Sequence, residues 1–382
     1  MEFDYAEEDQ VVAEPVVEKL PNMDLPRWRF LLSLPQYTHT EVVKQKLMTA
    51  MKENSKPNCL LFANENISKI ENFSDMTPYY EEVCNQFNWP KDNDLIQTMR
   101  KNNEATQKEL EAKTEDAVKN LGSTEVRESF LKRAEFFTRI GDKVQWIILV
   151  LTSRGPPQLL TADLSQEQAL SMYRQTLEQT VGLGSKLDIA LTNIRIGIFY
   201  DDMELVKRSI DRAKSMIEEG GDWDRRNRLK VYEAYYLMRI RQFLSAANLF
   251  LDTLSTFTSE ELFDYKTFIF YTIITTIVSL DRVTLNKRIL DSPEIKSVIH
   301  ELGPLGTLIT AYYNGDYGSF FKSMAQVLDE HIALDIAVHR HARYWAREMR
   351  VRAYAQFLES YKTVNLSSMA QLFAVTGEFL DK

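Results

Sequence analysis

From Val126 to Leu254, apolar residues return at steps of three and four, and every run of them stops at a short polar or glycine break. Val126, Phe130, Ala134, Phe137 and Ile140 mark one run, Leu187, Leu191, Ile194 and Ile198 a second, and Val206, Ile210, Ala213 and Ile217 a third. Leu229, Tyr232, Tyr236 and Ile240 mark a fourth, and Ala246, Ala247, Phe250 and Leu254 a fifth. Such steps place side chains on one face of an α-helix, whereas a strand needs strict alternation. The breaks at Asp201-Asp202, Gly220-Gly221 and Arg241-Gln242 leave room only for a tight turn between antiparallel neighbours. Second helices beginning near Ala169, Leu205 and Ala246 set a period of roughly 37 to 40 residues, close to that of tetratricopeptide-like arrays. One hairpin cannot bury its own apolar stripe, so neighbours must stack into a superhelix.

The expected fold is therefore all-α: a right-handed superhelix of helical hairpins over residues 123–338, preceded by an N-terminal helical region over 25–122. Only 13 glycines and 11 prolines interrupt 382 residues, which suits helix throughout. Asn93 to Asn120 is dense in charge and reads as one long solvated helix with i,i+4 pairs. Residues 1–24 are acidic and non-periodic and read as a disordered tail. They carry no charged-then-apolar signal pattern.

After His339 the pattern changes. Arg347, Glu348, Met349, Tyr354, Phe357, Leu358 and Tyr361 mix an apolar stripe with charges suited to bridging a neighbouring helix. A polar break follows, then a short helix carrying Leu366, Met369, Ala370 and Phe373, as at the opening of a helix-turn-helix or winged-helix module. Residues 339–382 are expected to form such a module, incomplete at Lys382.

Val144 to Gln166 departs from the repeat. A helix that should turn at Arg139-Ile-Gly-Asp-Lys143 and restart at Glu167 instead meets Trp146-Ile-Ile-Leu-Val-Leu151 and then Gly155-Pro-Pro157. An apolar run where the fold needs a tight polar turn is a local conflict, and it reads as foreign sequence, with a genuine lineage-specific loop as the alternative.

Composition excludes several functions. The formal net charge of −9 gives no electrostatic reason for binding nucleic acid or an anionic membrane. The longest mostly apolar run, Phe268 to Leu280, falls short of the roughly 20 residues that span a bilayer. Cys59 and Cys84 stand alone, without metal-ligand spacing or a disulfide framework. His339 and His341 sit two apart, about 200° around a helix, so they do not converge on one ion and read as packed or capping groups. No glycine-rich phosphate loop and no nucleophile signature is present, so neither a cofactor nor a catalytic residue is expected. The densest polar cluster is Asp222, Asp224, Arg225, Arg226 and Arg228. Its expected role is structural: Asp222 or Asp224 caps the next helix, and the arginines pair with carboxylates such as Glu218 and Glu219.

Several strings then carry a resemblance: Gly220 to Tyr232, Leu249 to Ser259, Asp264 to Phe268, Arg29 to Pro35, and Asn120 to Gly122 with the helix after it. They resemble the proteasome non-ATPase regulatory subunit 6 family, PCI-domain subunits in the lid of the 26S regulatory particle. The resemblance covers most of the chain from about Leu25. It implies a non-catalytic scaffold in the cytoplasm and nucleus, joined to other lid subunits through PCI–PCI contacts and supporting ATP-dependent degradation of ubiquitinated proteins. It also implies that Lys56 to about Ser74 is a second foreign insert, because the segments flanking it are adjacent in the family. The family chain runs on past Asp381, so Leu366, Met369, Phe373 and Phe379 are expected to be uncovered and form the candidate subunit interface. The first subunit of the COP9 signalosome has a similar PCI module and is the nearest alternative. A tetratricopeptide-like peptide-binding adaptor is another, although the inner faces look apolar rather than rich in Lys, Arg and Asn.

Overall fold

The computed structural model describes residues 21–37, 40–52, 75–120, 122–141, 183–220 and 222–381. The acidic residues 1–20 and both proposed inserts lie outside them. Every regular element among the described residues is helical. The N-terminal region holds α1 (Asp24–Ser33), α2 (Glu41–Lys52), α3 (Thr77–Phe87), α4 (Asn93–Asn120) and α5 (Ser123–Ile140). The array continues with α6 (Leu183–Phe199), α7 (Met203–Glu218), α8 (Trp223–Arg239), α9 (Phe243–Asp252) and α10 (Tyr265–Ser279). The short α11 (Arg282–Leu285) and α12 (Pro293–Val298) lead to a last hairpin, α13 (Pro304–Asn314) and α14 (Tyr317–Val327). Then come α15 (Ala342–Leu358), α16 (Leu366–Phe373) and α17 (Gly377–Asp381).

One turn recurs. Asp201, Arg241 and Gly315 each take a left-handed backbone conformation, with φ of 58°, 68° and 77°. The amide of the next residue reaches back to the carbonyl five positions earlier: Asp202 to Gly197 at 2.8 Å, Gln242 to Leu237 at 2.8 Å, Asp316 to Ala311 at 3.0 Å. This helix stop satisfies carbonyls that the helix end leaves open. Asp202 and Asp316 then cap the following helices through their carboxylates, accepting from the amides of Leu205 and Ser319. The turns at 201 and 241 are 40 residues apart, whereas Gly141, also left-handed, precedes Asp201 by 60. The difference is 20 residues, against the 23 of the insert proposed at 144–166.

The stripes read from the sequence face inward with one correction. In α8, Leu229 and Tyr232 are buried, but the next inward positions are Tyr235 and Met238 rather than Tyr236 and Ile240. At 100° per residue the buried positions form a wide arc centred near Val231 and Tyr235, and Tyr236 and Ile240 lie at its edge beside Leu229. Tyr236 is only partly buried and Ile240 is exposed.

A single apolar core runs from Leu187 in α6 to Phe373 in α16, crossing every hairpin between. Its aromatic layer includes Phe250, Phe257, Phe263 and Phe268, with ring centroids of Phe257 and Phe268 4.4 Å apart. The N-terminal helices are held differently. Leu25, Leu32, Leu47, Met51, Tyr79, Tyr80 and Val83 form a smaller cluster that Phe199 of α6 joins. The α4–α5 hairpin closes on two patches, Ala117 with Val126 and Phe130, and Phe136 with Phe137 and Ile140. Along α4, Lys113 pairs with Glu109 and Lys119 with Glu115, and Arg133 of α5 reaches Glu111 at 2.6 Å.

Helix α15 packs on α10 through Trp345, Met349, Ala353 and Phe357. The expected stripe was partly misplaced: Leu358 and Tyr361 are exposed, and Arg347 pairs at 2.8 Å with adjacent Glu348 instead of bridging to another helix. Trp345 Nε1 donates to the Ile274 carbonyl at 3.1 Å, and Arg352 Nη1 to the Leu280 carbonyl at 2.6 Å. Those bonds and the apolar contacts set the C-terminal segment against the array.

Candidate assembly site and the polar junction behind it

Charged side chains from four parts of the chain meet where the array joins the C-terminal segment. Asp201, in the α6–α7 turn, pairs with Arg239 at the end of α8 and with Arg340 at 2.7 Å. Arg241, the left-handed residue of the next turn, donates Nε to His341 Nδ1 at 3.2 Å and lies 5.0 Å over the Tyr344 ring. His341 Nε2 is 2.8 Å from the Arg239 carbonyl oxygen. With Nδ1 accepting, the assigned tautomer is neutral, protonated on Nε2, and donates to that carbonyl. The imidazole thus caps the C-terminus of a helix 102 residues away in sequence. Burial, followed by the Arg241, Arg239 and Arg340 charges, pushes the His341 pKa below its ordinary 6.5 against the pull of that hydrogen bond. His339 turns elsewhere, with Nδ1 3.1 Å from the Ala333 carbonyl oxygen and its ring 5.1 Å from Phe30 of α1.

Below this layer, the Asp335 carboxylate accepts from Tyr271 Oη at 2.8 Å and from the amides of Ala337 and Val338 at 2.7 and 3.1 Å. Desolvation nonetheless raises its pKa, with Tyr271, the two amides and Arg27 opposing. Arg27 enters from α1. Burial works against its charge, but the Asp335 and Asp24 carboxylates help to hold it on. Met23 and Arg27 line a small cavity with Tyr235, Arg239 and Ile336. The junction therefore fixes three regions to one another: the N-terminal helix, the array turns, and the start of the C-terminal segment. Sequence reading missed it because its members lie far apart in the chain: Asp201 and Arg340 alone are separated by 139 residues. One signal was available, since Arg239 interrupts the inward stripe of α8 and is almost fully buried.

The residues of the Asp222–Arg228 cluster contact other parts of the chain, with different partners from those expected. Asp222 occupies the N-cap position of α8, but its side chain makes no capping bond. Arg225 grips Asp188 of α6 with two bonds of 2.8 Å and leans toward Asp222 at 3.5 Å. Arg228 pairs with Asp224 at 2.9 Å and approaches Glu261 at 3.9 Å, while Thr258 donates to Asp224. Glu261 also accepts from Tyr232, whose hydroxyl accepts from Arg195. Arg226 is exposed. Glu218 and Glu219 are exposed and do not serve as the partners: the helix axes bring α6 and the 254–264 loop to the arginines instead.

The four candidate interface residues divide. Phe373 is fully buried, stacked on Tyr354 at 5.5 Å and edged by Tyr317 at 4.7 Å, and Met369 is buried beside it. Neither was expected to be covered; aromatic residues of α14 and α15 cover them. Leu366 and Phe379 remain exposed, at 56% and 38%. Among the described residues, six of the thirteen exposed large apolar ones, Val351, Leu358, Tyr361, Leu366, Leu372 and Phe379, lie between 351 and 381, so the described apolar surface is concentrated there.

Among the described residues, no group of three His, Cys, Asp or Glu could hold a metal ion, and no helix is long and apolar enough to cross a membrane. The polar groups that the fold gathers tie helices together. These features define an all-helical repeat protein with a helix-turn-helix segment at its C-terminal end and an apolar surface beside it. The family model described as 26S proteasome subunit RPN7 matches residues 92–147 and 162–288, and its interruption falls inside the proposed 144–166 insert. The 26S proteasome non-ATPase regulatory subunit 6 of Dictyostelium discoideum is 43% identical over 319 residues, covering 84% of this chain and 77% of that protein. The Arabidopsis thaliana homologue is 41% identical over 307 residues, covering 80% and 73%. The Saccharomyces cerevisiae regulatory subunit RPN7 is 31% identical over 404 residues, covering 99% and 85%. The chain belongs to this family of 26S proteasome regulatory subunits.

Proposed function

We propose that this chain is a non-catalytic scaffold of the proteasome regulatory-particle lid, supporting ATP-dependent degradation of ubiquitinated proteins in the cytoplasm and nucleus. The carrying observation is 43% identity to a 26S non-ATPase regulatory subunit 6 over 77% of that protein's length. The architecture agrees with the role. Its continuous core makes the array a stiff arm, and the polar junction sets the angle at which the C-terminal segment is presented. Residues 339–382 are read as the PCI-type segment, with Leu366 and Phe379 as contacts to neighbouring lid subunits; the relatives favour this over a signalosome or peptide-adaptor reading.

Affinity purification of the tagged chain from its native lysate, followed by mass spectrometry, tests the proposal. Lid subunits in comparable amounts are the expected result, and signalosome subunits or chaperones in their place would overturn it. The exposed pair is tested by Leu366→Asp and Phe379→Asp, expected to lower lid recovery with the melting temperature unchanged. The insert at 144–166 is tested by deleting it, which should raise the melting temperature and soluble yield by restoring the short turn.

A further inference from the structure

Three helices of the array end against the same neighbour. The last carbonyls of a helix have no donor within it and draw one from elsewhere. His341 Nε2 donates to the Arg239 carbonyl at the end of α8, at 2.8 Å. Arg352 Nη1 donates to the Leu280 carbonyl at the end of α10, at 2.6 Å. Gln356 Nε2 donates to the Tyr312 carbonyl in the last turn of α13, at 3.2 Å. Helix α15 and its N-cap residue thus cross the C-terminal ends of α8, α10 and α13 in chain order, with one polar side chain at each crossing.

The spacing along α15 makes this possible. At 100° per residue, positions 341, 345, 352 and 356 fall within an arc of about 60°, beside the row of buried Met349, Ala353 and Phe357. Trp345 belongs to both rows, since its ring is buried and its Nε1 donates to the Ile274 carbonyl of α10. From His341 to Gln356 the polar row is about 22 Å long. The charge of α15 has the same explanation. Residues 342–358 hold four arginines against one acid, Glu348, with no acid in the first turn and no base in the last. That distribution does not serve the helix's own dipole, but it suits a helix laid across the negative ends of three others.

The two ends of α15 hold different parts of the molecule. At its start, His341 accepts from Arg241, in the left-handed turn that closes α8. Toward its end, Tyr354 and Phe357 carry Phe373 of α16, at ring separations of 5.5 and 5.3 Å, and Arg350 lies over the Phe379 ring. A helix with one continuous inward face cannot turn away at one crossing without withdrawing from the others, because packed elements have discrete arrangements rather than a continuum.

We propose that α15 is a conformational strap whose docking across α8, α10 and α13 is one two-state step, so that the seat of α16 and the turn at 239–242 tighten and loosen together. The C-terminal surface and the array are then coupled through a single element whose equilibrium both ends bias. A partner that binds Leu366 and Phe379 only when the strap is docked tightens the turn at its far end. That trigger rests on the proposed function, whereas the strap is a property of the chain alone and is tested there.

Hydrogen exchange of the full chain at neutral pH is compared with that of two variants. Gln356→Leu removes the cap on α13, and Phe373→Ala unseats α16. In both, the amides of Ile240, Arg241 and Gln242, at the opposite end of the strap, should exchange about tenfold faster. Those of Leu280, Gly315 and Asp316, which close α10 and α13, should accelerate by the same factor. The middle of α7 should keep its rate, and the circular dichroism spectrum should not change. Acceleration confined to α13 in the first variant, or to α16 in the second, would show independent contacts and overturn the proposal. Equal acceleration through α7 would show only a loss of global stability and overturns it as well.

Discussion

The array and the N-terminal region are both built of helical hairpins, yet they are held together differently. From α6 to α16 the apolar stripes merge into one core, so each helix is covered on two sides by the next. From α1 to α5 the described residues form separate smaller clusters, and α1 is seated on the rest of the molecule partly by the Arg27 charge and the Phe30–His339 contact. Regular repeat spacing allows stripes to be shared, and where spacing is irregular, polar contacts must do more of the positioning.

The largest effect should come from the shared core. Phe268 is fully buried among Phe250, Phe257 and Phe263, and Phe268→Ala should cost about 3–5 kcal/mol in chemical denaturation. If the comparison is right, hydrogen exchange in this variant speeds up from α6 through α16 together. Acceleration confined to α9 and α10 would break it.

A smaller loss is expected at the seat of α1. Tyr271→Phe removes the hydroxyl that donates to Asp335 and should cost about 1–3 kcal/mol, because a desolvated carboxylate loses a donor. Exchange should rise in α1 and at 333–341 while the middle of the array stays protected.

Acidification sharpens the same contrast. The folded pKa of His341 is depressed, so below pH 6.5 the unfolded chain binds more protons, and the stability contributed by the neutral imidazole is lost as pH falls through its folded value. His341→Gln should flatten that part of the pH–stability curve, and Phe268→Ala should leave its slope intact. An unchanged slope in His341→Gln would assign the acid sensitivity elsewhere.

The smallest effect is expected at the partly exposed Asp222–Arg228 cluster. Arg225→Ala breaks a two-bond contact with Asp188 and should cost about 0.5–1 kcal/mol, less at high salt. A loss above about 2 kcal/mol would mean that α6 and α8 depend on charge as α1 does.

Legibility followed the range of the interactions. The five stripes, the turns at 201 and 241 and the long α4 were visible because helix periodicity and turn chemistry act within a few residues. The α8 stripe followed the edge of a buried arc whose centre lies near Val231 and Tyr235, and the partners of Arg225 were misjudged because Asp188 lies 37 residues away. The helical hairpins, the acidic balance and the family strings were thus determined by the sequence alone. Which residues of the C-terminal segment remain exposed, and that His341 caps α8 while Arg27 is held near Asp335, only the tertiary structure decided. Periodicity reports which face turns inward, but burial and ion pairing depend on what packing brings across from distant parts of the chain.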